Sequence, residues 1–352
     1  EIFFRTLKGI KNNTFPNSLM PLAKDRSFGM YSFNNLLGYS PTPKFSKLIN
    51  NRLKHWNNVQ VTILDDSTRL SSPEGLYERK NFNEKLKNIL TVGDSFTFGD
   101  QVSDKDTWQS CLNNKKSRYF FINGGVGGYG ILQSILRAEE LSRNNKKNIS
   151  GIILSVLVGS DAGRDKLDFR SGFPKPSLFK TKTGEIVIKH LPEDAITVIG
   201  GKYTKSQSNN FLDFFISNIS FLRKVPIKYV QDFYQKFHNR NVNRFTRFNE
   251  SPPSINEIYN WNAKKSKKLN RNVIWLLQYP ALMNDKKIAE RKYIIDLLKR
   301  EKINFIDTYI PLHGEKVIYA SSDLWDSHHT PLGNKVVCNT IHNYFNSMEY
   351  NF

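Results

Sequence analysis

Four stretches of the chain carry residue types able to do acyl chemistry. The first is Gly93-Asp94-Ser95-Phe96-Thr97-Phe98-Gly99, directly after the mostly apolar run Asn88-Ile89-Leu90-Thr91-Val92. A serine at the carboxyl end of a strand lies where open α/β sheets place their ligands. Backbone N–H groups there can point at an anion. The competing reading is a tight strand-to-helix turn with Ser95 as its N-cap. The second stretch is Asp326-Ser327-His328-His329-Thr330-Pro331-Leu332-Gly333. A serine nucleophile needs an imidazole to take its proton, and the imidazole needs an orienting carboxylate. An Asp two or three residues before a His, just ahead of a helix, supplies both. An Asp beside two His could also belong to a metal site, but no convincing third ligand accompanies them.

The third stretch, Asn123-Gly124-Gly125-Val126-Gly127-Gly128-Tyr129-Gly130, follows a second apolar run. A glycine-rich loop can bring backbone N–H groups up to a reacting oxygen. The alternative is a flexible turn. A dinucleotide site is disfavoured, because the loop follows the second strand and no acidic residue is placed for a ribose. The fourth is Gly159-Ser160-Asp161, where the Ser160 hydroxyl could donate into the same crevice or cap a helix.

The elements that must position these residues are legible as alternating strands and helices. Strands are expected at 88–92, 119–122, 152–158, 272–277 and 303–306. Helices are expected at 108–114, 131–141 and 287–300, with a last one starting at Pro331 behind Thr330 as N-cap. That rhythm implies a parallel, doubly wound sheet with the four stretches converging at strand ends. Residues 1–87 are rich in Pro, Asn and Ser and read as an N-terminal extension packed on the main domain, with one early helix near 45–55. Residues 88–352 form that domain, interrupted at 165–250. The interruption holds a hairpin around Thr183-Gly184 and an aromatic stretch from Phe211 to Phe237. The aromatic stretch reads as a cap or lid helix pair broken at Pro226, or as a membrane-surface helix.

Taken together, the stretches resemble the SGNH/GDSL hydrolase family. GDSFTFG is similar to its first block, NGGVGGYG to its second and DSHHTPLGN to its fifth. The resemblance runs over about 88–164 and 270–346. It implies an α/β/α sandwich around a flavodoxin-like, five-stranded parallel sheet. It implies Ser95 as nucleophile, Asp326 and His328 as orienter and base, and an oxyanion hole containing the Gly128 N–H and Ser160. Two departures stand out. The family's third block carries an Asn where this chain has Ser160. Its fifth block usually spaces Asp and His by three, which would select His329; a spacing of two selects His328, as do the distances to Thr330 and Gly333.

The resemblance thus implies a serine esterase, acting on a small ester or an O-acyl (acetyl) group of a carbohydrate or cell-envelope glycan, without cofactor or metal. Two alternatives use the same residues: an O-acyltransferase that delivers the acyl group to a glycan hydroxyl, and a non-catalytic glycan-binding module. The formal net charge is +20, from 52 Lys+Arg against 32 Asp+Glu. It permits association with a membrane or polyanion surface, but the basic residues are scattered. The densest run, Lys264 to Lys268, reads as a helix surface, and no specific nucleic-acid motif surrounds it. The two cysteines, Cys111 and Cys338, lack the spacing of a zinc site. No run of 18 apolar residues spans a membrane. The chain opens on Glu1 rather than Met, which leaves room for a removed signal peptide or anchor and an extracytoplasmic or cell-envelope location.

Overall fold

A computed structural model describes residues 30–49, 58–72, 86–115, 117–143, 148–170, 173–191, 252–269, 272–313 and 328–347. The aromatic stretch at 211–237 and Asp326 lie outside the described residues.

The amino-terminal part builds two antiparallel hairpins. In the first, β1 (Tyr31–Asn34) pairs with β2 (Gly38–Pro41). In the second, β3 (Ser46–Ile49) pairs with β4 (Val59–Thr62). The helix expected near 45–55 is therefore a strand over its first half. Pairing with Val59–Thr62, and burial of Ile49 with Val59 and Val61, override the local preference of Ser46-Lys47-Leu48-Ile49.

The main domain then runs β5 (Lys87–Val92), α1 (Ser95–Phe98), α2 (Trp108–Asn113), β6 (Tyr119–Asn123), α3 (Ile131–Arg143), β7 (Ile149–Leu157) and α4 (Asp161–Arg164). A hairpin of β8 (Ser177–Lys180) and β9 (Ile186–Lys189) follows, turning at the expected Thr183-Gly184. Next come α5 (Ile255–Lys267), β10 (Asn272–Gln278), α6 (Asp285–Arg300), β11 (Asn304–Asp307), α7 (Tyr309–His313) and α8 (Pro331–Ser347).

Five of these strands form one parallel sheet in the order β11-β10-β7-β5-β6. This is the doubly wound, flavodoxin-like order. β6 lies on one side of β5 and β7 on the other, so the connections leaving β5 and β6 diverge. The crevice of such a fold opens at the carboxyl end of β5, and Ser95 sits there.

Both sheet faces are covered. Leu90, Val92, Ile152, Leu154, Trp275 and Leu277 meet α3, α5 and α6. Ile89, Phe121, Ile153, Ile274, Leu276 and Ile306 meet α2 and α8. Two-sided burial explains why these strands read as continuous apolar runs. On α8, Val337, Cys338, Ile341 and Phe345 form one apolar stripe, each large side chain stabilising the docking by about 1.5–3 kcal/mol. The same helix is tied to α2 by a disulfide between Cys111 and Cys338, 227 residues apart, with Cα atoms at 6.1 Å.

The hairpins are joined to this domain by buried polar bonds as well as by packing. Arg69 is fully buried, and its backbone N–H donates to the Asn123 carbonyl at the end of β6. Its guanidinium donates to Asp104 and to the carbonyls of Phe98, Gly99 and Val102. The β8–β9 hairpin rests on α5 through Lys180–Glu257 and a bond from the Trp261 indole to the Ile186 carbonyl. In α5 Lys264 and Lys267 are exposed, as is Lys268 at its C-cap, while Lys265 pairs with Glu139.

Candidate active site

The turn after β5 is built so that the Ser95 hydroxyl is not spent on capping. Asp94 is the N-cap of α1: its carboxylate accepts the Phe96 N–H at 2.9 Å. Ser95 is consequently the first helical residue, not the cap, and its side chain turns elsewhere. It is 6 % exposed. The other Asp94 oxygen accepts Arg164 at 2.8 Å, and the same guanidinium nitrogen donates to Asp161 at 2.7 Å and to the Tyr129 carbonyl at 2.9 Å. One arginine thus ties together the loops after β5, β6 and β7. Burial, with Asp94 beside it, pushes the Asp161 pKa up, and Arg164 opposes that rise.

The glycine-rich loop packs against this turn. The Val126 N–H donates to the Gly93 carbonyl at 3.0 Å, and the Asn123 amide donates to the Phe98 carbonyl at 3.1 Å. A side chain at position 125 would place its Cβ 2.3 Å from the Phe98 nitrogen, so the close approach demands glycine. Gly128 takes φ +81°, the left-handed region. The backbone N–H groups of Ser95 and Gly128 donate to no acceptor among the described residues.

Ser160 stands at the N-cap position of α4, yet its hydroxyl makes no capping bond. It is half-buried and engages no described side chain. Capping therefore does not account for its hydroxyl.

The histidine arrives from the far end of the chain. His328 Nε2 lies 2.8 Å from Ser95 Oγ, across 233 residues of sequence. Its Nδ1 is buried and has no partner among the described residues. The Asp100 carboxylate lies 4.0 Å from Nε2. Phe96 packs against both neighbouring rings, with centroids 5.1 Å from His328 and 4.8 Å from His329. His329 turns into the interior at 2 % exposure. Burial, then the neighbouring His328, lowers its pKa to about 3, so it stays neutral. Of the two histidines, only His328 is placed to exchange a proton with Ser95.

Trp108 connects the serine turn and the histidine turn. Its indole N–H donates to the Phe96 carbonyl at 3.3 Å, and its backbone N–H donates to the Asn334 side chain at 3.2 Å. The Asn334 amide in turn donates to the carbonyls of His329 and Thr330. Thr330 accepts the Gly333 N–H, with Pro331 at the first helical position of α8. Sequence reasoning did not single out Trp108, Asn334 or Arg164. Only Arg164 left a trace, as the basic residue three after Asp161.

Chemically, the arrangement is a hydroxyl hydrogen-bonded to an imidazole, beside a glycine loop with unspent amide donors. It can take a proton from the serine and meet the charge that develops on an attacked carbonyl. Among the described residues, no group of three or more His, Cys, Asp or Glu side chains is arranged to hold a metal ion.

No family model and no curated protein matches the chain. Solved structures are similar to it at low identity. A lipolytic protein of the G-D-S-L family from Veillonella parvula is 13% identical, with a TM-score of 0.40, over 74% of this chain and 100% of that one. One from Desulfitobacterium hafniense is 12% identical, with a TM-score of 0.39, over 73% and 98%. A catalytic mutant of Axe2, an acetylxylan esterase from Geobacillus stearothermophilus, is 10% identical, with a TM-score of 0.37, over 73% and 93%. The reading of the site rests on the geometry of this chain's own residues.

Proposed function

We propose that the chain is a serine esterase of the SGNH/GDSL type, with Ser95 as nucleophile and His328 as general base. The observation that carries this reading is the 2.8 Å contact between His328 Nε2 and Ser95 Oγ at the switch point of the sheet. In the reaction, neutral His328 accepts the Ser95 proton on Nε2 as Oγ attacks the ester carbonyl. The tetrahedral oxyanion is met by the N–H groups of Ser95 and Gly128, with the Ser160 hydroxyl as a third donor. The imidazolium then returns its proton to the departing alcohol. Water, deprotonated by the same nitrogen, hydrolyses the acyl-enzyme. Asp326, two residues before His328, is assigned to orient the imidazole; the buried Nδ1 without a described partner supports that assignment.

The proposed substrate is an O-acyl, in particular O-acetyl, group on a carbohydrate or cell-envelope glycan. The sequence blocks and the basic surface support it. The proposed location is extracytoplasmic, a reading supported by the Cys111–Cys338 disulfide, since such bonds persist in oxidising compartments.

Ser95→Ala tests the reading. Hydrolysis of nitrophenyl acetate should fall by about 10⁴-fold or more with an unchanged thermal midpoint. A fluorophosphonate should label Ser95 in the wild type. Undiminished hydrolysis by Ser95→Ala would overturn the assignment. Comparing acetyl with long-chain nitrophenyl esters tests the acyl preference.

A further inference from the structure

Two tyrosine hydroxyls from the first hairpin grip a single glycine of the oxyanion loop. Tyr39 Oη donates to the Gly127 carbonyl at 2.9 Å. The Gly127 N–H donates to Tyr31 Oη at 3.1 Å. Tyr129, two residues beyond Gly127, donates back to the Tyr39 carbonyl, so loop and hairpin hold each other. The three rings stack edge to face, Tyr39 lying 5.6 Å from Tyr31 and 5.2 Å from Tyr129. Tyr39 and Tyr129 are essentially without exposure. A Cβ on Gly127 would come 2.7 Å from Tyr31 Oη, so a side chain there would displace that hydroxyl.

The Gly127 carbonyl and the Gly128 N–H belong to one planar peptide unit. No cis peptide occurs among the described residues, so that oxygen and that hydrogen point in opposite directions. A donor fixed on the oxygen therefore aims the N–H. Donation to the oxygen also polarises the unit and strengthens its N–H as a donor, by roughly 10–30 % per bond. Tyr31 grips the preceding peptide instead, through its N–H, and holds the backbone without polarising the Gly128 amide.

We propose that the N-terminal hairpin is a working part of the active site and that Tyr39 is a positioning residue for the oxyanion donor Gly128. This rests on the esterase reading above. It makes the extension more than an outer wrapping: the pitch of one amide in the hole is set 88 residues upstream.

The test uses the full chain carrying Tyr39→Phe or Tyr31→Phe, with active sites titrated by a fluorophosphonate. Tyr39→Phe removes one oxygen and keeps the ring. Per titrated site, it should lower kcat on nitrophenyl acetate about tenfold, less than the 10²–10³ typical of deleting an oxyanion donor outright. KM should stay within about twofold, because ground-state binding is not what the amide serves. Fluorophosphonate labelling should slow by the same factor as kcat, and Tyr31→Phe should lower kcat less than Tyr39→Phe does. A loss confined to the number of titratable sites or to the melting temperature, with kcat per site unchanged, overturns the proposal. So does an equal kcat loss in both variants. If Tyr39→Phe does not accumulate folded, 3-fluorotyrosine at position 39 replaces it: a stronger donor of nearly the same shape should raise kcat, and an unchanged kcat overturns the idea. A wild type that no fluorophosphonate labels at Ser95 sinks the esterase reading and this proposal together; normal labelling with an unaffected Tyr39→Phe sinks this proposal alone.

Discussion

The turn that carries Ser95 and the turn that carries His328 meet at one hydrogen bond but are held by different physics. The serine turn is enclosed by polar groups. Arg69 takes the Phe98 and Gly99 carbonyls, Gln109 the Thr97 carbonyl, Trp108 the Phe96 carbonyl, and Arg164 the Asp94 carboxylate. Nearly every backbone carbonyl of Ser95–Gly99 is thereby tied to a buried side chain or to the next turn. The described residues of the histidine turn are held in another way. Asn334 holds its carbonyls, Phe96 packs on its rings, and α8 behind it is docked by an apolar stripe and one disulfide. The serine side is fixed locally and directionally. The histidine side is seated together with a whole helix, α8.

That contrast can be broken from either side. The largest effect should come from Arg69→Ala, which strands the buried Asp104 carboxylate and releases the end of α1. We expect a loss of about 3–5 kcal/mol, read from the denaturant midpoint. Removing the disulfide with Cys111→Ser/Cys338→Ser should cost about 2–4 kcal/mol. It should also lower activity at temperatures where the sheet remains folded, because α8 loosens first; activity and far-UV circular dichroism melting together would break the contrast. Asn334→Ala removes the bonds to His329, Thr330 and Trp108 and should cost about 1–3 kcal/mol. It should reduce kcat more than it reduces the fluorophosphonate-titratable fraction.

The effect that is smallest near neutral pH is a pH slope. His329 has its pKa lowered to about 3 from 6.5 by burial. The unfolded chain binds that proton below pH 6.5 and the folded chain does not. The stability tied to neutral His329 is thus complete above pH 6.5 and is lost as pH falls toward 3, at about 1.4 kcal/mol per pH unit. Asp165 acts in the opposite sense: burial raises its pKa to about 6, so its contribution favours the folded state at low pH and fades as pH rises through 6. Because Asp165 is common to both proteins, the difference between wild type and His329→Leu isolates the histidine. Equal acid slopes for the two would show that His329 does not titrate as a buried group.

Much of the sheet was legible because two-sided burial writes strands as apolar runs. Residues 88–92, 119–122 and 272–277 match β5, β6 and β10 to within a residue or two at their ends. The Ser95 and His328 stretches stood out for the same reason that they converge: each follows or precedes an element whose end faces the crevice. What stayed hidden depended on distant partners. The hairpin strand Ser46–Ile49 takes its form from Val59–Thr62 against its local preference. The cysteine pairing joins positions 111 and 338, and no local spacing announces it. Asp94 and Ser95 are both acceptable caps, and only the Arg164 contact beyond the turn accompanies the choice of Asp94. Tyr39 looks like any buried aromatic until its hydroxyl is seen on Gly127.

The separation of 233 positions from Ser95 to His328 also orders events in time. During synthesis the hydroxyl emerges first, and the imidazole that meets it follows 233 positions later. Until α8 is made and docked, the half-built chain carries a serine no more reactive than any other. On the proposed reading, the docking of α8 is what arms the serine.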